Sequence, residues 1–360
     1  MMEHERSGGP PGRLGDPNMD IGSDPRTDPR LVEALRIFGL HQRAEPAPVS
    51  ASSSYEDCLA FFAEMEGQYA MMFDAFHDNL TPLGVKRSEH VLQGPDENSI
   101  RLFVHRPVDQ SGSLPCILHF HGGGMVFSKA ANTNYLRWRD ELACLGTVVI
   151  GVEFRNGAGE LGNHPFPAGL NDCAAALRWA HQNRQKLQIS NIITSGESGG
   201  GNLSIAVALK AKLEGWIDAI SGVFAMCPYI SGQYANPPRE LASMIENDGY
   251  TVQLSMMGAL AKAYDPDLVH RMNPQAWPYT SSEDDLKGLP PHFISVNELD
   301  PLRDEGIGFH QKLVRAGVSS VCHTVQGTCH GGDCISPKVL PDIYQATLRN
   351  ITGFARACAQ

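Results

Sequence analysis

Residues 191–213 constrain the backbone more tightly than any other part of this 360-residue chain. The stretch opens on a run of strand formers, Asn191-Ile192-Ile193-Thr194-Ser195, and closes on a helical pattern from Asn202 to Leu213. Between them stands Gly196-Glu197-Ser198-Gly199-Gly200. A strand that becomes a helix within so few residues brings backbone segments too close for side chains, so the glycines are a steric need. The turn leaves one serine at its apex, in the pattern G-x-S-x-G, with strand before and helix after as a nucleophile elbow requires. An idle serine in a purely structural turn would look the same locally. The rest of the chain has to decide between them.

From about residue 88 the texture alternates between strands and helices. His90–Gln93 and Arg101–His105 flank the turn signal Pro95-Asp96-Glu97-Asn98 and read as a hairpin. Buried-type strands are expected at Cys116–Phe120, Thr147–Phe154, Asn191–Ser195, Val223–Met226 and His292–Asn297, with helical spacing between several of them, as at Leu170, Cys173, Leu177 and Ala180. Such alternation implies a mostly parallel sheet covered by helices on both faces. Residues 229–289 interrupt it with a Met- and aromatic-rich, mainly helical stretch, read as an insertion. Ahead of the sheet, residues 1–30 read as an extended arm rich in Gly, Pro, Asp and Arg. Asp28-Pro29 is an N-cap followed by Pro at the first helical position, opening a short helix with Leu31, Leu35 and Phe38 on one face and Gly39 as its stop. Leu59, Phe62, Met65, Tyr69, Met72 and Phe76 then form a longer amphipathic stripe, a packing surface that also suits the wall of a cleft. The division expected is 1–85, arm and cap helices; 86–228, first part of the core; 229–289, insertion; 290–360, second part of the core.

Composition narrows the function. Hydrophobic residues make up 42% and charged ones 19%, which is globular. The formal net charge is −11 with no basic block, which excludes nucleic acid or an anionic membrane as the main partner. The densest apolar stretch, Cys144–Val152, falls far short of the ~20 residues a membrane-spanning helix needs. No secretory signal is visible at the N-terminus. Nine cysteines are an odd number and none forms a C-x-x-C pair, so a reducing, cytoplasmic-type compartment is expected. The sequons at Asn79, Asn202 and Asn350 would matter only in a secreted chain.

A second glycine cluster supplies what a serine nucleophile needs. His121-Gly122-Gly123-Gly124 follows the strand Cys116–Phe120, and consecutive glycines let backbone N–H groups approach a ligand oxygen. Acyl transfer builds negative charge on such an oxygen, and each well-placed donor is worth ~2.7–4 kcal/mol in the transition state. A phosphate loop is the rival reading, but the G-K-[ST] ending is missing. A serine also needs a base, and the base an orienting acid, in the order Ser, acid, His for a G-x-S-x-G elbow. Downstream, Asn297-Glu298-Leu299-Asp300-Pro301-Leu302-Arg303-Asp304 offers carboxylates after a strand. Gly327-Thr328-Cys329-His330-Gly331-Gly332 offers a histidine in a loop after the strand-like run Ser319–Gln326.

HGGGM at 121–125, GESGGGN at 196–202, DPLRDEG at 300–306 and CHGGD at 329–333 together resemble the hormone-sensitive-lipase-like esterases, bacterial family IV. The resemblance extends to PGRLGDPNM near the N-terminus, HPFPAGLNDC in the middle and IENDGY in the insertion. It implies an α/β-hydrolase fold, a mostly parallel central sheet flanked by helices with a helical cap, and hydrolysis of carboxylic esters through an acyl-serine. It also implies Ser198 as nucleophile, Asp300 as acid and His330 as base, with Gly123, Gly124 and the N–H of Gly199 forming the oxyanion hole and Gly122 shaping the turn. Position supports Asp300 over its neighbours: Pro301 holds its turn, Asp304 lies in the first turn of a helix, and Glu298 has a longer, looser side chain. The family more often carries Asp-Ser-Ala where this chain has Glu197-Ser198-Gly199, and often Phe at the position of Gly332.

The partner implied is a small-molecule ester, with no cofactor and no metal. Cys322, Cys329, Cys334, His323 and His330 crowd together, but without zinc-finger spacing. Arg155 and Arg303 read as structural ion-pair partners. Glu197 reads as structural or as a hydrogen-bonding group near the elbow. Two rival functions share these motifs: an acyltransferase or thioesterase with the same triad, and a silent ligand-binding member of the fold.

Overall fold

The computed structural model describes residues 9–42, 45–76, 84–334 and 336–359. Its strands are β1 (Val85–Gln93), β2 (Ser99–Pro107), β3 (Leu114–Phe120), β4 (Val148–Glu153), β5 (Ile189–Glu197), β6 (Gly222–Met226), β7 (His292–Leu299) and β8 (Ser320–Cys329). They form one sheet in the order β1-β2-β4-β3-β5-β6-β7-β8. Only the pairings of β2, with β1 and with β4, are antiparallel. The expected hairpin is present, and the parallel remainder matches the strand–helix alternation read in the sequence.

Strand alternation sorts the core into two layers. Cys116, Leu118 and Phe120 of β3 join a cluster with Leu170, Cys173 and Leu177 and with Leu203 and Val207. Ile117 faces the other way, among Trp138, Leu142, Tyr344 and Leu348. Helix Gly199–Leu213 is buried almost all round, which explains its run of Leu, Ile, Val and Ala rather than an amphipathic stripe. Because β4 lies on one side of β3 and β5 on the other, the winding reverses between β3 and β5. Ligands of open α/β sheets bind outside the carboxyl ends of the strands at that reversal. Phe120 and Gly196 are register partners there, so the two glycine-rich segments leave the sheet side by side.

The insertion departs after β6 and is tied back by buried polar groups. The Asn202 amide, deep in the core, donates to the carbonyls of Tyr229 (2.9 Å) and Ala276 (3.0 Å), so this sequon is structural. Glu305 accepts from the backbone N–H of Ile230 (3.1 Å) and Ser231 (3.0 Å) and from the Tyr234 hydroxyl (3.1 Å). Trp277 packs edge-on against Tyr229 and Tyr264, closing the insertion's own aromatic core.

The N-terminal segment departs from expectation. Its described part is no extended arm but a series of turns beginning at Gly12–Leu14 and packed on the insertion, with Ile21 buried. Charge explains why. Arg26 bridges Asp24 (2.7 Å) and Glu246, and Glu246 is held from the other side by Arg303 (2.8 Å). The Tyr250 hydroxyl donates to Asp24 (3.0 Å), and the Asp28 N–H to the Gly327 carbonyl (3.0 Å). Asp28 then caps helix Pro29–Arg36 through the Arg30 N–H, as its sequence predicts. Residues 1–8 and the Asn79 sequon lie outside the described residues.

Burial pushes the Glu305 carboxyl up, to about 8, against the donors that surround it. Glu305→Gln replaces one acceptor oxygen with a donor facing a backbone N–H, which should cost about 1–3 kcal/mol of unfolding free energy. Urea denaturation checks this; an unchanged midpoint would show that the insertion is held by its apolar contacts alone.

Candidate active site

The elbow is as tight as its glycines suggest. A Cβ on Gly196 would sit 2.3 Å, and one on Gly200 2.0 Å, from the Phe120 carbonyl oxygen, and one on Gly199 2.5 Å from the Met125 nitrogen. Alanine, usual in the family at the position of Gly199, has no room in this arrangement. Ser198 itself has φ 56° and ψ −117°, a region that costs a non-glycine residue on the order of 1–3 kcal/mol. Backbone bonds hold it there: its N–H donates to Met226 (3.0 Å), and its carbonyl accepts from Tyr229 (3.1 Å) and Asn202 (3.0 Å).

The loop after β3 folds over the elbow. Gly123 has φ 93° and Gly124 φ 62°, and the Gly123 carbonyl accepts from Val126 (3.0 Å) and Phe127 (3.2 Å). The Gly122 N–H is taken by Glu197, at 2.6 Å. Those of Gly123 and Gly124 have no acceptor among the described residues. The Gly199 N–H belongs to the first turn of a helix, where no intrahelical acceptor exists. Gly199 thus lies against Gly124, next to Ser198 and at the positive end of a helix. His121 is no base: buried and stacked on Phe154 at 4.1 Å, its ring is pushed down to about 3 by desolvation and stays neutral. Its Nδ1 lies 2.8 Å from the Gly122 carbonyl.

Glu197 thus has a definite position. Its Oε1 anchors Gly122, and its Oε2 lies 3.3 Å from the His119 ring. Sequence reasoning left its role open because the partner lies 75 residues away, on the neighbouring strand's loop.

Asp300 and His330 come from the ends of β7 and β8. Asp300 is fully buried; one carboxylate oxygen accepts from the Leu302 N–H (2.9 Å) and the other meets His330 Nδ1 at 2.8 Å. The neighbouring acids are engaged elsewhere. Glu298 accepts from the Gly327 N–H (2.8 Å), and Asp304 from the Ser243 N–H (2.7 Å) and Arg303 (2.9 Å). Desolvation opposes charging of the His330 ring, but the Asp300 carboxylate and the Cys227 sulfur together outweigh it, and the pKa stands well above the ordinary value. Arg155 and Arg303 are ion-paired, with Asp172 (2.9 Å) and Glu246 (2.8 Å) respectively.

Ser198, Glu197, His330 and the three glycines of the loop line a cavity of about 300 Å³. Met65, Tyr69, Met72 and Phe73 of helix Tyr55–Phe76 form part of its wall, while Phe62 and Cys58 of the same helix face the core. The amphipathic stripe is therefore packing surface at one end and cleft wall at the other. No lysine or arginine lines the cavity among the described residues. Cys227, at the end of β6, also lines it; its apolar surroundings in the sequence gave no sign of this. Cys227, Asp300 and His330 bring their thiol, carboxylate and ring atoms within 4.8 Å of one another. His323, expected near the other thiols, pairs instead with Ser295 Oγ at 2.8 Å.

A family model described as the alpha/beta hydrolase fold matches residues 117–332, and the chain belongs to that family. Among its relatives are the esterase LipI of Mycobacterium tuberculosis, 30% identical over 70% of this chain and 76% of its own length, and the carboxylesterase NlhH of the same organism, 31% identical over 71% and 77%. Among solved structures it is similar to brefeldin A esterase, described as a bacterial homologue of human hormone sensitive lipase, with TM-score 0.95 and 44% identity over 98% of this chain and 99% of that one. Esterase Est22 aligns with TM-score 0.84 and 36% identity over 94% and 99%. The hormone-sensitive-lipase-like resemblance read from the motifs is thus shown, and the chain is a carboxylic ester hydrolase of the α/β-hydrolase superfamily.

If Glu197 fixes the loop, Glu197→Ala should lower kcat about 10- to 100-fold with little change in KM, a partial loss compared with removing an oxyanion donor outright. Glu197→Gln keeps an acceptor for Gly122 and should lose far less. Steady-state kinetics on a soluble ester separates the two; equal activities would make Glu197 a bystander.

Proposed function

We propose that Ser198, Asp300 and His330 form the catalytic triad of this esterase, and that the N–H groups of Gly123, Gly124 and Gly199 form its oxyanion hole. The observation that carries the reading is one cavity lined by Ser198 in its strained conformation, by His330 with Nδ1 on the buried Asp300 carboxylate, and by Gly123 and Gly124, whose N–H groups have no acceptor among the described residues. His330 takes the Ser198 proton as Oγ attacks the ester carbonyl, and Asp300 keeps Nδ1 protonated, so that Nε2 is the basic nitrogen. The tetrahedral oxygen enters the hole, its negative charge met by the three donors. Collapse expels the alcohol, protonated by His330, and water activated by the same base releases the acid.

The cavity is apolar and lacks a lysine or arginine, which suits uncharged esters. Short-chain acyl esters are the proposed substrates, and likeness to brefeldin A esterase extends the class to lactones. The cap is assigned to residues 1–85 and 229–289; Leu31, Leu35 and Met65 of the first and Met256 and Leu260 of the second line the cavity. No helix among the described residues is long and apolar enough to cross a membrane. None of the nine cysteines, all among the described residues, is disulfide-bonded, in keeping with a proposed reducing, cytoplasmic-type compartment. A silent ligand-binding role has no need of the fully buried acid that orients His330.

Ser198→Ala should abolish ester turnover while leaving the fold intact, and an organophosphonate should label Ser198 in the unaltered protein. Asp300→Asn should lose on the order of 10⁴-fold in kcat because the histidine tautomer is wrong. Glu298→Gln and Asp304→Asn, whose carboxylates hold backbone elsewhere, should keep more activity. Full turnover in Ser198→Ala, or a neighbour collapsing while Asp300→Asn survives, would refute the assignment.

A further inference from the structure

Besides Ser198, with which it shares a cavity, His330 has a thiol within reach. The Cys227 thiol, a His330 ring nitrogen and an Asp300 carboxylate oxygen all lie within 4.8 Å of one another. Cys, His and Asp in mutual reach are the parts of a thiol relay: the base takes the thiol proton, and the acid steadies the imidazolium that results. Cys227 is also held in an unusual conformation. It has φ 34°, a region non-glycine residues avoid, and its N–H is fixed on the Ser295 carbonyl at 2.7 Å. The thiol lines the same cavity as Ser198 and His330, so a molecule that enters as an ester would meet both.

We infer that Cys227 is a second nucleophile served by His330, and that it is a site of covalent modification for small, uncharged, soft electrophiles. With an α-haloamide, Sγ bonds to carbon, the carbon–halogen bond breaks, halide leaves and the thiol proton passes to His330. With an α,β-unsaturated carbonyl compound, Sγ bonds to the β-carbon, the π pair moves to the α-carbon, and that carbon takes the proton back from His330. Either adduct occupies the cavity beside the base and stops ester hydrolysis.

The other thiols lack this combination. Cys116 and Cys173 lie in the core with burial alone pushing the first up and leading the rise of the second. Cys334 lines the cavity, but its thiol donates to the Gly331 carbonyl at 3.2 Å, and burial beside acidic neighbours holds it well above its ordinary value. At Cys227 burial also raises the pKa, yet His330 pulls in the opposite direction; Cys329 feels the same pull but does not line the cavity. The cavity selects for neutral reagents, since Glu197 lines it, the charge of the His330 ring is balanced by the Asp300 carboxylate paired with it, and no lysine or arginine lines it among the described residues.

The inference rests on the His330–Asp300 pair but not on ester turnover, and its test keeps the two apart. The folded, full-length protein is treated with iodoacetamide, and each cysteine is followed by peptide mass spectrometry, with exposed Cys144 as the internal control. Cys227 should be alkylated in step with loss of activity, and still alkylated in Ser198→Ala, which has no turnover to lose. Iodoacetate should label Cys227 at least about tenfold more slowly than iodoacetamide does, a greater disparity than at Cys144. His330→Ala, checked for folding by circular dichroism, should slow Cys227 at least about tenfold and leave Cys144 unchanged. Cys227→Ala should keep its own starting activity through the treatment. Labelling of Cys227 only in denaturant, or at a rate indifferent to His330, overturns the inference while leaving the Ser198 assignment untouched.

Discussion

The carbonyl of Phe120 is where the structure's demands meet. Gly196 and Gly200 both press against it, at distances no Cβ tolerates, and it ends the strand whose continuation supplies the loop donors. That contact sets the elbow and the loop at one fixed separation. With the parallel sheet carrying β3 and β5 side by side, Ser198 comes to line one cavity with Gly123 and Gly124. Preorganised backbone donors need no rearrangement as charge develops, which is why such a hole acts on the transition state rather than on the resting ester.

Buried carboxyl groups do the remaining positioning. Glu197 reaches from the elbow to Gly122, Asp300 from β7 to His330, and Glu305 from the core to the first residues of the insertion. Each is a carboxyl group receiving N–H groups from a segment remote in sequence, and an acceptor lost from a buried site leaves its donor unpaired. Arg26, Glu246 and Arg303 do the same for the N-terminal turns. The catalytic geometry and the attachment of the cap thus rely on one device, used several times.

Much of this was legible in the sequence because it is local. The elbow, the glycine loop and the segments that carry Asp300 and His330, the proposed acid and base, each occupy a few consecutive residues, and the strands read clearly because both faces of the sheet are covered. What escaped is long-range. The N-terminal segment looks extended by composition, yet Arg26 and Tyr250 fold it onto the insertion through pairings more than 200 residues apart. Cys227 looks like one more small hydrophobe at the end of a strand, and only the fold brings it to His330. Residues lining the cavity from helix Thr133–Cys144, such as Tyr135 and Trp138, carry no motif at all.

The central claim is that Ser198 stands between three backbone donors and one oriented imidazole. A crystal structure of the covalent organophosphonate adduct tests it most directly, because the phosphonyl oxygen stands in for the tetrahedral oxyanion. The account predicts phosphorus on Ser198 Oγ and that oxygen about 2.7–3.1 Å from the nitrogens of Gly123, Gly124 and Gly199. An adduct on another residue, or a phosphonyl oxygen turned away from these glycines, would contradict it.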